Sequence, residues 1–470
     1  MMKTTAIILS LAAFLSCCNP KSPNNLQIVL PETYELTNII LALTNYARED
    51  PSEVMKGTHY YKEVLEYFEP VKNHPLLDSV NYSRELWEDY LAFRTDGFAF
   101  AFDKNNRLKR VIDFYSVKGH TPLDDHLELV NDFVEKSGFR DFFRSKKEFY
   151  NFLVNNYRTY YLVDKMKVFL DTRVGKTNVS TDNGRSLVVL SPLICRMNCH
   201  RQIDSNTKAD FPSASPEFIN GFDGSGKMEA RITHSHMLFT EMDHGYINPI
   251  SEKHADLIAN NFNVDIWDSG SGYTGINCFN EYMTWAVYTL FIKERYPTYK
   301  VDSIAIQWQF QNATRGFFAQ NLFTEKVEEL YANKGSRNFE SIYEPLLKWC
   351  KSVENNVSEP VLMKGKINDF IPVKKGVIEL FFSEPMRTEN PFGVIIHETD
   401  AEGGGTGNNM KMIVHNAEWS VDGKSARFTI ECPYERYIML LNWWGIGQPL
   451  VSANGIFLQG SYLLLKADGK

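Results

Sequence analysis

Apolar residues recur three and four positions apart through the first third of the chain, and beyond about Glu359 they alternate with polar ones instead. Leu36, Ile39, Ile40 and Leu43 keep the helical interval, as do Val64, Leu65 and Phe68, and the pattern continues through 127–133 and 149–161 with aromatic residues crowding the apolar faces. This spacing predicts a helical layer up to about residue 170 to 180. A short β-branched run follows at 186–193, bounded by Asn183-Gly184 and Pro192, and reads as a strand. Residues 211–227 are rich in Pro, Ser, Gly and Asp and read as a long loop. Two further helices are expected around 236–246 and 281–295. Beyond residue 359, short runs at 377–382, 394–397, 410–414, 426–430 and 437–441 are separated by turn residues. Asp422-Gly423 is a strong hairpin signal between Val421 and the run that starts at Ala426. Five or more short strands in about 100 residues predict a small β-sandwich. The expected class is α+β: residues 31–358, with a helical part to about 180 and a core over 181–358, followed by an all-β sandwich over 359–470.

The start of the chain adds a destination. Lys3 is followed by the apolar stretch 6–15, then Ser16, Cys17 and Cys18, then Asn19, Pro20 and Lys21, which are the parts of a secretory signal. The stretch falls far short of the roughly 20 apolar residues of a spanning helix. Leu15, Ser16 and the two cysteines resemble a bacterial lipoprotein box, with Cys17 or Cys18 as the acylated residue. That resemblance implies a signal peptide over 1–17, a tether over 18–30 and an exported, membrane-anchored lipoprotein, periplasmic or on the cell surface. The alternative is a plain secretory signal with incidental cysteines.

Charge removes one class of partner. The formal net charge is -8 and no basic run occurs, whereas phosphate backbones need a basic surface; nucleic acid is not expected. Beyond the signal stand Cys195, Cys199, Cys278, Cys350 and Cys432, too scattered for a disulfide framework. Cys195 and Cys199, followed by His200, form a local disulfide, a metal pair, or two unbonded small residues.

Candidate chemistry concentrates where four of the 11 histidines fall: His234, His236, His244 and His254. A zinc peptidase helix carries two histidines four apart, with a glutamate after the first as general base. Here the frame is Thr240-Glu241-Met242-Asp243-His244, and Glu281 lies on the next expected helix. Residues from about 30 to 350 resemble an uncharacterised family of secreted bacterial zincin-like proteins, putative metallopeptidases. The likeness rests on Tyr34-Glu35-Leu36-Thr37-Asn38-Ile39-Ile40, on Tyr61 to Phe68 followed by His74-Pro75, on Glu241 and His244 running into Asn248-Pro249, and on Asn280-Glu281. It implies zinc held by His244 and Glu281, Glu241 as the base, and a peptide or protein substrate.

The chain departs from that pattern at Thr240, where the family has its first histidine. Two protein ligands are then left, and catalytic zinc uses three plus water. His236 is the nearest substitute, yet eight residues of straight helix span about 12 Å while each ligand sits about 2 Å from the metal. It can serve only if the helix breaks or begins after it; His234 meets the same objection, and Asp243, His254 and Asp268 have no spacing argument. Structural readings stand beside each functional one. His244 fits a hydrogen-bonded core histidine, Glu241 a salt bridge or cap, and Glu281 a helix start favoured by the macrodipole. Tyr246 and Tyr282 are oxyanion donors or packing.

The segment 378–386 resembles the strand and turn of bacterial Ig-like modules, a likeness covering about 365 to 470, and implies a spacer or adhesion unit. Trp443-Trp444 offers a sugar-stacking platform or ordinary packing. Two functions follow: a zinc-dependent metallopeptidase-like lipoprotein of reduced or no activity, or a catalytically inactive cell-surface binding or scaffold protein for a peptide or glycan.

Overall fold

The computed structural model describes residues 25–175, 184–213, 215–221, 227–335, 338–363 and 371–467, the last stretch without 374, 375, 401, 403, 432, 444, 445 and 447. The expected signal peptide, Cys17, Cys18 and most of the expected tether lie outside the described residues. Two units divide the chain at 246/247. Each mixes helices with strands, and the class is α+β.

In the first unit, strand β1 (Leu26–Val29) precedes helix α1 (Glu32–Leu43), which enters through Pro31 and places Glu32 and Glu35 in its first turn. Such acids suit the positive end of the helix dipole. Every residue from Thr33 to Leu43 on α1 is buried, so this helix is covered all round. Helices α2 (His59–Tyr67), α3 (Trp87–Asp96), α4 (Leu127–Ser137), α5 (Lys147–Tyr160) and α6 (Val163–Phe169) supply the layer that the periodicity foretells. A small hairpin, β2 (Phe100–Phe102) with β3 (Leu108–Arg110), interrupts it.

Residues of the first motif bond within α1 and from α1 to α3. Thr37 Oγ1 donates to the Arg94 carbonyl at 2.8 Å and Asn38 Nδ2 to the Tyr34 carbonyl at 2.8 Å. Gly97 lies so close to α1 that a Cβ there would stand 2.5 Å from Thr37 Oγ1; only glycine permits that approach. His74 caps the short helix Pro75–Ser79, Nδ1 accepting from Leu76 N–H at 3.2 Å.

Strands β4 (Arg185–Val189), β5 (Cys199–Asp204) and β6 (Thr207–Phe211) join β1 in a sheet of order β1-β4-β6-β5, parallel except for β5. The strand expected at 186–193 is therefore present and shorter. The loop expected from Phe211 is different at its start, because Phe211 ends β6 and Pro216–Gly221 is helical; residues 222–226 lie outside the described residues. One sheet face packs on α1, with the Tyr34 and Phe211 rings 5.4 Å apart. Arg94 of α3 reaches the carbonyls of Arg196 and Met197. Helices α7 (Met228–His234) and α8 (His236–Lys253) follow. Helix α8 continues through Pro249, which has no N–H to give its ladder.

In the second unit, α9 (Ala255–Asn261), α10 (Gly275–Arg295), α11 (Val301–Thr314), α12 (Gln320–Asn333) and α13 (Tyr343–Val353) lead into the strands. Strands β7 (Ile371–Val373), β8 (Val377–Phe381), β9 (Phe392–Thr399), β10 (Gly405–Val414), β11 (Glu418–Trp419), β12 (Ser425–Thr429), β13 (Arg436–Leu441) and β14 (Ser461–Ala467) make two sheets, β10-β9-β13-β14-β7 and β11-β12-β8. The Asp422-Gly423 turn joins β11 to β12, with Gly423 at φ 68°. Between the sheets lies an apolar core that includes Leu380, Val394, Ile396, Phe428, Met439 and Leu465. A separate cluster packs Phe310 of α11 against Ile395, Ile446, Val451 and Phe457. Beside it, the Arg387 guanidinium meets both Glu325 carboxylate oxygens at 2.7 and 2.8 Å. Within this unit the sandwich is thus fastened to helices rather than hung from a linker. No described helix is long and apolar enough to cross a membrane.

Candidate functional site

Helix α8 carries Thr240, Glu241 and His244, and its own geometry decides what Thr240 does. The Thr240 hydroxyl donates to the His236 carbonyl at 2.8 Å, the back-bonding to the preceding turn that threonine adopts inside helices. His236 begins α8, and its Nδ1 lies 2.8 Å from the Thr233 carbonyl. His234 turns to α5, with Nδ1 2.8 Å from the Tyr160 hydroxyl. Both histidines ahead of the frame are thus engaged with local partners.

Glu241 and His244, one helical turn apart, act on consecutive residues of β5. Burial raises the Cys199 thiol, and Glu241 adds to that effect; burial lowers the His200 imidazole, with His244 among the contributors. Glu241 is buried, and so is Asp243. The four described cysteines, Cys195, Cys199, Cys278 and Cys350, are free thiols.

The sheet face beneath this part of α8 holds charges that the sequence pattern did not single out. Lys208 and Asp210 point to the same side of β6, and both are buried. His200, paired with Asp210 across β5 and β6, sets Nδ1 2.7 Å from Asp210 Oδ1. An imidazole donating from Nδ1 to a carboxylate presents Nε2 as an acceptor. Lys208 Nζ stands 4.1 Å from the centre of the Tyr246 ring and has no hydrogen-bond partner among the described residues. Burial pushes its amine down to about 8, with Asp210 opposing. The Tyr246 hydroxyl donates to Asp171 at 2.7 Å, and Lys167 pairs with the same carboxylate. Gly245 makes the layer possible: a Cβ there would lie 2.8 Å from Lys208 Nζ and 2.9 Å from His200 Cε1.

The remaining sequence candidates belong to the second unit. Glu281 is buried on α10, with Oε2 3.9 Å from Arg315 Nη2. Its neighbour Tyr282 is fully buried and donates to the Trp267 carbonyl, a packing role. His254 sits 3.1 Å from Glu340 and stacks on Tyr343, and Asp268 accepts from the Gly270 and Ser271 amides. Among the described residues, no group of three or more His, Cys, Asp or Glu side chains gathers as metal ligands do. Trp443 is half exposed, while Trp444 lies outside the described residues.

No family model matches the chain, and no curated protein does. Among solved structures, it is similar to the surface layer protein SbsC, domains 1-6, at 12% identity over 50% of this chain and 33% of that one, with a TM-score of 0.17. A crystal structure of the S-layer protein rSbsC(31-844) gives 12% identity, 52% and 38% coverage and a TM-score of 0.18. The chain spans little more than a third of either protein. Likeness at that level carries no argument about fold or function.

Proposed function

We propose that this is an exported, lipid-tethered protein with a degenerate zincin-like helix, working at the periplasmic or outer surface as a binding or scaffold protein for peptides rather than as a peptidase. The reading rests first on Thr240. The position where a zinc helix has its first imidazole holds a hydroxyl already bonded to its own helix. Zinc, where a site holds it, polarises a carbonyl and activates water. The resemblance would have His244 and Glu281 hold it and Glu241 act as the base, one ligand short of a catalytic set.

Metal analysis of the purified protein and of Thr240→His tests the reading. A wild type without stoichiometric zinc, and a variant that takes up one zinc, are expected. Stoichiometric zinc in the wild type, lost in His244→Ala and in Glu281→Ala, overturns it in favour of a working metallopeptidase.

A further inference from the structure

Glu35 has no part in that reading. It belongs to the first helical motif, and it is fully buried. The Tyr60 hydroxyl of α2 donates to its Oε1 at 2.7 Å, and the Tyr150 hydroxyl of α5 stands 2.5 Å from the Tyr60 hydroxyl. Because Tyr60 gives its proton to Glu35, Tyr150 is the donor of the second bond, and the three groups form one directed chain. Ser191, after β4, adds a hydroxyl; Tyr34 flanks Glu35 on its own helix. Among the described residues no cationic side chain acts on Glu35. Glu63, which pairs with Lys146 at 2.6 Å, acts on Tyr150, and Arg94 of α3 acts on Tyr34. Glu35 Oε2 has no hydrogen-bond partner among the described residues.

A carboxylate in such surroundings is poorly stabilised, because it has left water and met only hydroxyls. Glutamine would fill the same space and make the same bond from Tyr60. What glutamate adds is the ability to ionise.

We propose that Glu35 is a proton-locked latch: as a neutral acid it ties α1 to α2, α5 and the segment after β4, and its ionisation at alkaline pH releases α5. The release reaches α8 through the end of α5. Tyr160 holds His234, and Arg231 donates to the carbonyls of Thr159 and Tyr160. The latch therefore sets how firmly the helix bearing Glu241 and His244 is presented, whatever that helix binds.

Burial raises the Glu35 carboxyl from 4.5 to about 8. The opened form releases the proton from about pH 4.5 upward while the closed form keeps it to about pH 8, so closure weakens tenfold per pH unit across that window and levels off above it. Amide hydrogen exchange on the full chain, corrected for intrinsic rates, compares wild type with Glu35→Gln. Protection of α1 and α5 in the wild type, relative to the variant, is expected to fall tenfold per unit to about pH 8 and then stay level. Equal pH dependence in the two proteins overturns the latch. The wild type also reports by itself, should the variant fold poorly: a protonated-carboxyl infrared band is expected at pH 7 and absent well above pH 8. Its absence at pH 7 overturns the proposal.

Discussion

The sandwich core and the sheet of the first unit both bury strand faces, yet they bury different chemistry. Between the two sheets of the sandwich, β8, β9, β12 and β13 turn in Leu380, Val394, Ile396, Phe428 and Met439, as alternation requires of a strand with one buried face. Strand β6 is buried along its whole length. It gives Ala209 and Phe211 to one face and Lys208 and Asp210, beside His200, to the other. Apolar burial stabilises roughly in proportion to area, whereas a buried charged layer often does no better than break even against an apolar replacement. The sandwich is therefore built for support, and the charged face of β6 is the part whose chemistry asks for another explanation.

Substitutions on both sides sharpen the contrast. Phe428→Ala should cost about 3–5 kcal/mol through the cavity it leaves, read by denaturant unfolding followed at Trp419, with little dependence on pH or salt. Asp210→Asn should cost about 3 kcal/mol, because His200 and Lys208 lose their carboxylate. A loss below 1 kcal/mol there would erase the distinction between the two cores. Compared with Lys208→Met, the wild type should gain about 1.4 kcal/mol per unit from about pH 8 to 10.5, and lose that stability again as the pH falls. The sign follows from the depressed amine: the unfolded chain holds its proton up to the higher value and the folded chain gives it up at the lower. Gly245→Ala should cost about 1 kcal/mol, the crowding of His200 and Lys208 outweighing the better helix propensity; thermal melts at two pH values would show whether the charged layer carries the loss. The smallest effect belongs to Arg387→Ala, about 0.5 kcal/mol in urea titration, since the Arg387 and Glu325 side chains remain partly exposed.

Much of this architecture is legible along the chain. The helices near 36–43, 64–68, 127–133 and 149–161, the strands beyond 377 and the Asp422-Gly423 turn follow from spacing and turn chemistry, because those interactions are local. Strand β6 is not legible in the same way. Thr207-Lys208-Ala209-Asp210-Phe211 carries an alternation, but its polar members suggest an exposed strand. Only pairing between β4 and β5 makes it central and covers both faces.

The candidate site divides along the same line. From the sequence come Glu241, His244 and Glu281 as acid and imidazole candidates, and the threonine that interrupts the frame. The bond from that threonine back to the His236 carbonyl depends on where α8 begins, and the His200–Asp210 dyad depends on the register between β5 and β6. Periodicity and turn chemistry thus determine helices and strands, since each is settled by residues a few positions apart. Which ionisable groups lose their water and which of them face one another was decided only by tertiary packing, because burial and register join residues that are distant in the chain.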